Sequence, residues 1–353
     1  MTIALAVLAL PEAAYAAANG EYADWTRTGG TGAWQATGTP AAGFPVADVT
    51  SNASSVTVPS GASTFLGPQT PPGQVYGSSQ GQTYLNVSTA KGFDTSTTTM
   101  TFDAATPAKN WAFVIGDLDA DSLTITGTDA NGDPISPADL GFEGTFNYCA
   151  YSPKPSGCTG PGPFTDVPTW SADTATLVGN TLDTFGAAAW FQPTVAVKTL
   201  TFRFSRIIGA PIFQLWLAAK AVPVMIPVKG TTEDCPATIE LDNAEGIPVL
   251  DIVGKPVTAT TDANGTATFP AVTDGSYQLH MLKSECGKTV KDPYYPIVVD
   301  TSKGPVKVPA GIFAINVPQL ADTGQHTARL LAAGAIILLS GAVLLIAGRR
   351  RTR

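Results

Sequence analysis

Apolar and polar residues alternate with a period of two along much of the chain, the pattern of strands with one buried face. It predicts strands at Thr98–Phe102, Trp111–Gly116, Ser122–Thr128, Thr145–Tyr151, Thr174–Val178, Ala188–Gln192, Lys198–Ser205 and Ile212–Ala219. In the last two, Leu200, Phe202 and Phe204, then Phe213, Leu215 and Leu217, fall on one face. Ile208-Gly209-Ala210-Pro211 between them predicts a hairpin. Upstream, to about Tyr84, the chain is rich in Thr, Gly, Pro and Ser, with scattered Trp25, Trp34, Phe44 and Phe65 that fill a core or line a binding face. Further along, Asp262-Ala-Asn-Gly265 and Asp274-Gly275 read as tight turns, because Asn and Gly accept positive φ. Thr266–Phe269 is the strand between them, and Tyr277 and Leu279 alternate inward.

No stretch before the last 34 residues repeats apolar positions at helical spacing, so the fold class is all-β. Eight or more strands predict a jelly-roll-like β-sandwich over residues 19–222. A smaller β-domain follows over 223–318, and residues 319–353 form a separate tail. At the other end, Ile3 to Leu10 is apolar, and Ala14-Tyr15-Ala16 or Ala16-Ala17-Ala18 has the small-x-small form of a signal-peptidase site. Residues 1–18 are therefore expected to be a signal peptide. No Lys or Arg precedes its apolar stretch, which places the natural start upstream of Met1 as an expectation.

The tail has three parts in order: Leu320-Ala321-Asp322-Thr323-Gly324, an apolar run from Leu330 to Gly348, and a terminus with Arg349, Arg350, Arg351 and Arg353. The run is 19 residues long, and at about 1.5 Å per residue it spans roughly 28 Å, near a bilayer's hydrocarbon thickness. The arginines would stay on the cytoplasmic side. A single C-terminal transmembrane helix is therefore expected. This order of parts resembles the LPXTG-type cell-wall sorting signals of Gram-positive bacteria. With Ala321 where Pro is commonest, it is similar to the LAXTG form associated with class E sortases of actinobacteria. The resemblance implies that a sortase cysteine attacks the Thr323 carbonyl, releases Gly324 onward, and passes the acyl group to a peptidoglycan amine. Residues 330–348 would hold the chain in the membrane transiently, and the mature protein would reside in the cell wall.

Between Ala17 and Thr323 there are 27 acidic and 15 basic side chains, a net charge of −12. That excludes the basic footprint a nucleic-acid partner needs. All four cysteines lie in the exported part, where disulfides persist. Three connectivities are possible; domain placement favours Cys149 with Cys158 and Cys235 with Cys286.

Trp111-Ala-Phe-Val-Ile-Gly-Asp117-Leu-Asp119-Ala-Asp121, followed by Asp129-Ala-Asn-Gly132, resembles a segment of secreted bacterial β-sandwich domains. Phe213-Gln-Leu-Trp-Leu-Ala218 is similar to their final strand. This resemblance implies architecture rather than activity. Gly254-Lys-Pro-Val, Thr260-Thr-Asp-Ala-Asn-Gly265-Thr-Ala-Thr-Phe269 and Asp274-Gly-Ser-Tyr277-Gln-Leu279 resemble the CnaB, or prealbumin-like (carboxypeptidase-regulatory-like), family. That family often carries a self-formed Lys–Asn isopeptide bond promoted by a buried acid. By position Lys229 and Asn316 are the candidates, but Met281 stands where the family's acid usually follows the Tyr-x-Leu strand, and Glu240 is the substitute from another strand. A Cys235–Cys286 link would be an alternative staple, typically worth about 2–4 kcal/mol.

Catalytic chemistry is thin. Residues 17–323 contain a single histidine, His280, on a core-like strand, and a Ser-His-Asp triad or His-based zinc site needs a positioned imidazole. No carboxylate pair sits in a recognisable motif, so no enzymatic activity and no required cofactor are expected. Asp117, Asp119 and Asp121 are the candidate metal ligands: hard oxygens at alternate positions suit Ca²⁺ if the segment is a loop, although the EF-hand pattern fails. A Tyr-Pro-Lys-type pilin motif is absent, since Asp292-Pro-Tyr-Tyr-Pro has the wrong order. The expected function is a sortase-anchored surface protein, an adhesin or ligand-binding module for a host or glycan ligand. The alternatives are a carbohydrate-binding or structural wall module or a minor (base or tip) pilin, with a secreted hydrolase last.

Overall fold

The computed structural model describes residues 20–89, 95–209, 212–282 and 293–315. The signal peptide, Cys286, Asn316, Leu320–Gly324 and the apolar run at 330–348 lie outside the described residues. No described helix is long and apolar enough to cross a membrane.

The first fifteen strands are β1 Gly20–Tyr22, β2 Asp24–Gly30, β3 Ala33–Thr39, β4 Ala47–Ser51, β5 Ser55–Thr57, β6 Leu85–Ser88, β7 Thr95–Phe102, β8 Trp111–Gly116, β9 Asp121–Thr128, β10 Phe142–Asn147, β11 Thr169–Ser171, β12 Thr176–Val178, β13 Ala187–Phe191, β14 Thr199–Arg206 and β15 Ile212–Lys220. They form two sheets. One has the order β10-β13-β8-β15-β6-β5, with β1 also on β15; the other runs β11-β12-β9-β14-β7-β4-β3-β2. The core between them is aromatic. Phe113 stacks on Phe191 at 4.7 Å, Phe204 meets Phe213 at 5.1 Å and Phe102 meets Trp111 edge-on at 5.7 Å. Each such ring contributes roughly 1.5–3 kcal/mol by leaving water.

Each predicted strand has a counterpart, but the one expected over Thr145–Tyr151 ends at Asn147, where the Asn147 side chain caps a 3-10 turn over Tyr148–Ala150, and the pairing of the last two differs from expectation. β14 lies in the eight-stranded sheet, between β7 and β9, while β15 lies in the other sheet, between β8 and β6. The segment between them is thus a crossover and not a hairpin. Alternation is the same in either arrangement; only hydrogen-bond partners separate them.

The two sheets treat their outer faces differently. In β8, β13 and most of β15 consecutive residues are buried, so both faces are covered. The cover is a second apolar layer in which Tyr76 of the short helix α1 (Pro71–Tyr76), Tyr84 and Cys158 pack on Trp216 and Val114. The Cys149–Cys158 disulfide is formed and closes a loop in this layer. The outer face of the other sheet is a ladder of hydroxyls: Thr199 lies beside Thr101 and Thr128, and Thr201 beside Thr99 and Thr126.

A second, separate core starts at Val222. Its strands are β16 Val222–Lys229, β17 Thr238–Asn243, β18 Thr258–Thr260, β19 Thr266–Val272, β20 Gly275–Met281, β21 Tyr294–Val299, β22 Val306–Lys307 and β23 Phe313–Ala314. They make two four-stranded sheets, β19-β16-β22 with β23 also on β16, and β18-β17-β20-β21. β22 and β23 run parallel to β16.

Four hairpin turns share one device. In Asp129, Asn243, Asp251 and Asp262, one side-chain oxygen accepts the N–H groups two and four residues on, at 2.8–3.0 Å. The fourth residue of each is Gly132, Gly246, Gly254 or Gly265, all with φ between 76° and 88°, which only glycine adopts without strain.

The domains meet at the end of the first sandwich that holds Asn110 and Lys220. Ala42 bridges Val272, and the Thr273 N–H donates to the Ala42 carbonyl at 3.0 Å. Asn110 Nδ2 donates to Asp274 Oδ2 at 2.5 Å, and the other Asp274 oxygen accepts from Thr301 N–H at 2.6 Å. Gly43 (φ +84°) is required here, since a Cβ would lie 2.0 Å from the Tyr277 hydroxyl oxygen. Asp274→Ala is expected to destabilise the second domain by about 1–3 kcal/mol, because it orphans the Thr301 N–H as well as the Asn110 amide. Asn110→Ala, which removes only the contact between domains, should cost less; chemical denaturation of both variants checks the order.

Candidate functional site

Three segments cross between the sheets at the opposite end of the first sandwich. They are 117–120 between β8 and β9, 179–186 between β12 and β13, and 207–211 between β14 and β15. They gather Asp117, Asp119, Asp121, Asp166 and Asp183, with no lysine or arginine ion pair to any of them among the described residues.

Local geometry positions each carboxylate. Asp117 takes a left-handed backbone at φ +58°, a conformation Asp tolerates, and a Gly186 backbone N–H partly stabilises its charge. Asp119 Oδ2 accepts the Thr184 N–H at 2.9 Å. The Thr184 hydroxyl donates to Asp166, and Asn147 Nδ2 donates to the Asp166 and Phe185 carbonyls at 3.1 and 2.8 Å. Asp121 is fully buried, and neither of its oxygens has a partner in hydrogen-bonding geometry. The N–H groups of Ile207 and Ile212 are oriented to offset its burial in part. The Ile207 N–H itself is engaged by the Ala120 carbonyl at 3.1 Å. Gly209 (φ +68°) lets the crossover pass over Asp183, whose Oδ2 would lie 2.5 Å from an added Cβ.

Burial, and after it the neighbouring carboxylates, raises these acids. Asp117 and Asp121 are pushed up to about 7, and Asp119 to about 6. Asp117, Asp119 and Asp121 are therefore brought near enough to repel one another. They are not brought to one ligand point. Among the described residues, the group of three or more ligating side chains with atoms within 4.8 Å of one another is Glu240, Asp242 and His280. Asp117 faces Gly186, Asp119 faces Thr184 and Asp121 faces the 207–212 crossover, so the carboxylates fan out. Asp117, Asp119 and Asp121 do not form such a group. Asp166 and Asp183, from loops with no apolar pattern, escaped sequence reasoning; only an excess of Asp marks them.

The other expected sites fare as follows. Cys235 is disulfide-bonded. Lys229 is exposed at the end of β16, and Ile315 N–H bonds its carbonyl at 2.8 Å; its amine is not in the buried surroundings an isopeptide nucleophile needs. Glu240 points to the outer face of its sheet beside His280, away from the core that holds Met281, so it does not take the family acid's place. A groove of about 410 Å³ lies on the hydroxyl-rich face of the eight-stranded sheet, lined by Trp34, Gln35, Thr50, Asn52, Thr97 and Thr99.

No protein-family model matches the chain, and no curated protein matches it. Among solved structures, the major pilin subunit BcpA of Bacillus cereus is 11% identical with a TM-score of 0.24, covering 74% of this chain and 70% of that one. The group B streptococcus pilus 2b backbone protein is 13% identical (TM-score 0.24; 65% and 96% covered). The major pilin SpaD of Corynebacterium diphtheriae is 15% identical (TM-score 0.24; 64% and 62% covered). A score of 0.24 is too low to establish a common fold.

The raised acids set a pH dependence. Their folded-state values lie above the ordinary 3.8, so the folded state binds more protons, and stability falls as pH rises from about 4 to about 7. Asp300, held down to about 2 by the Ser302 hydroxyl and Lys303, titrates below that window. The melting temperature should therefore be higher at pH 5 than at pH 8. Asp121→Asn should narrow the difference by raising the pH 8 value, by about 2–4 °C per kcal/mol relieved; calorimetry at both pH values checks this.

Proposed function

We propose that this is a sortase-anchored, non-enzymatic surface protein that presents its first sandwich on a stalk-like second domain. The observation that carries the reading is the opposition of the two poles. β15 runs from the acidic crossovers to the junction and passes through Ala221 into β16. β16 runs away from the junction, and β23 leaves parallel to its far end, with Phe313 beside Val228 and Ala314 beside Lys229. The chain therefore heads for Leu320–Gly324 from the pole opposite the acidic end. Anchored through Thr323, the protein would hold the crossovers outermost. Leu182, Phe185 and Ile208 are exposed on those loops at 58%, 43% and 41%, a surface suited to a host protein or glycan ligand, as an adhesin or a tip subunit requires.

Carbohydrate binding is the second reading, favoured by the groove on the hydroxyl-rich face, where Gln35, Thr50, Asn52, Thr97 and Thr99 offer polar groups.

Expression of the full chain in an actinobacterial host is the test. Muramidase digestion should release the protein with a peptidoglycan fragment on Thr323, and Thr323→Ala should move it from the wall to the membrane fraction. Attachment unchanged in that variant would overturn the reading. The exported chain on glycan and matrix-protein arrays then separates the two ligand classes: loss of binding in Leu182→Ser/Phe185→Ser supports the distal loops, and loss in Gln35→Ala/Thr50→Ala supports the groove.

A further inference from the structure

The outer face of sheet β18-β17-β20-β21 holds a second group of ionisable side chains. Ile239 and Leu241 on β17, and Leu279 and Met281 on β20, point into the core, so Glu240, Asp242 and His280 share the opposite face. Glu240 pairs with His280 across the strands, and Asp242 with Gln278. His280 Nδ1 lies 3.4 Å from Glu240 Oε1 and 3.8 Å from Asp242 Oδ2. One ligand atom from each of the three lies within 4.8 Å of the other two.

Three features point to a ligand rather than to a chance charge cluster. Asp242 is 2% exposed, and its Oδ1 has no hydrogen-bond partner. A buried carboxylate left so costs about 1–3 kcal/mol or more. The imidazole is held in place by stacking on Tyr294, with centroids 4.3 Å apart and planes at 18°. Finally, the separations suit one small ion: ligands about 2.0–2.2 Å from a tetrahedral centre stand roughly 3.3–3.5 Å apart, and the two carboxylate distances from His280, 3.4 and 3.8 Å, lie at or near that range.

We propose that Glu240, Asp242 and His280 form a binding site for one divalent transition-metal ion of the Zn²⁺ class. One imidazole nitrogen and two carboxylate oxygens are a borderline donor set, which suits zinc, cobalt or nickel better than calcium. The ion neutralises two close carboxylates and links β17 to β20, which are 40 residues apart at Glu240 and His280. Three protein ligands leave the fourth position open on the side where His280 is partly exposed. The inference does not depend on the surface-display reading.

The test is metal uptake by the untagged full chain after chelator treatment. Titration with ZnCl₂ should show one equivalent bound, and Co²⁺ should give the visible absorption of a low-symmetry, four- or five-coordinate centre. His280→Ala and Asp242→Asn should each weaken zinc binding by at least about 100-fold while circular dichroism stays unchanged. His280→Gln, which keeps a polar side chain on the strand, should also lose the Co²⁺ spectrum. Asp119→Asn, at the far acidic end, should bind zinc normally. Absence of uptake by the parent chain, unchanged affinity in His280→Ala, or an equal loss in Asp119→Asn would each overturn the site.

Discussion

One continuous piece of extended chain, β15 through Ala221 into β16, orders the rest of the molecule. In β15, Phe213, Leu215 and Leu217 face the core between the sheets, while Trp216 and Ala218 face the outer apolar layer. In β16, Val222, Val224 and Ile226 face the second core. The 18 residues from Ile212 to Lys229 amount to as much as about 60 Å of chain at 3.3 Å per residue. Both cores are built against this spine, and a single residue separates its two strands. The domains therefore have little freedom to turn about each other, and the Ala42–Thr273 and Asn110–Asp274 contacts restrict it further.

The spine also separates two kinds of chemistry. At its start, carboxylates are gathered with no lysine or arginine ion pair among the described residues, and their repulsion is tolerated because Thr184, Asn147 and Gly186 supply donors to some of them. Asp117 and Asp121 are the acids whose charge the fold opposes most, each pushed up to about 7. At its other end, β16 is flanked by the last described strand. Tension between the first domain and the tail would load the β16–β23 pairing in shear, because the two strands are parallel. Here Lys229 is exposed and Met281 is in the core, so the described residues hold the domain by packing, by backbone pairing and by the disulfide at Cys235.

Much of this was legible before any coordinates. The strands from Thr95 to Lys220 follow from period-two alternation, because a pleated strand exposes successive side chains to opposite faces. The turns at Asp129 and Asp262 follow from Asp and Gly at fixed spacing. Asn243-Ala-Glu-Gly246 and Asp251-Ile-Val-Gly254 carry the same spacing and form the same turn. The unbroken apolar runs Trp111-Ala-Phe-Val-Ile and Ala187-Ala-Ala-Trp-Phe carried a signal too: a strand that lacks a polar face is covered on both sides.

What the sequence by itself determined is local: which segments are extended, which turns are tight, and the ordered parts of the tail, whose recognition is read along the chain. Tertiary structure decided everything that depends on partners distant in sequence. It made 207–211 a crossover, since alternation constrains a strand's faces and not its neighbours. It gathered Asp117, Asp119 and Asp121 at one end of the sandwich but turned them toward different neighbours, because the chain turns from one sheet into the other within those five residues. And it set His280 against Glu240 and Asp242, because antiparallel register brings together residues whose separation along the chain carries no information about their meeting.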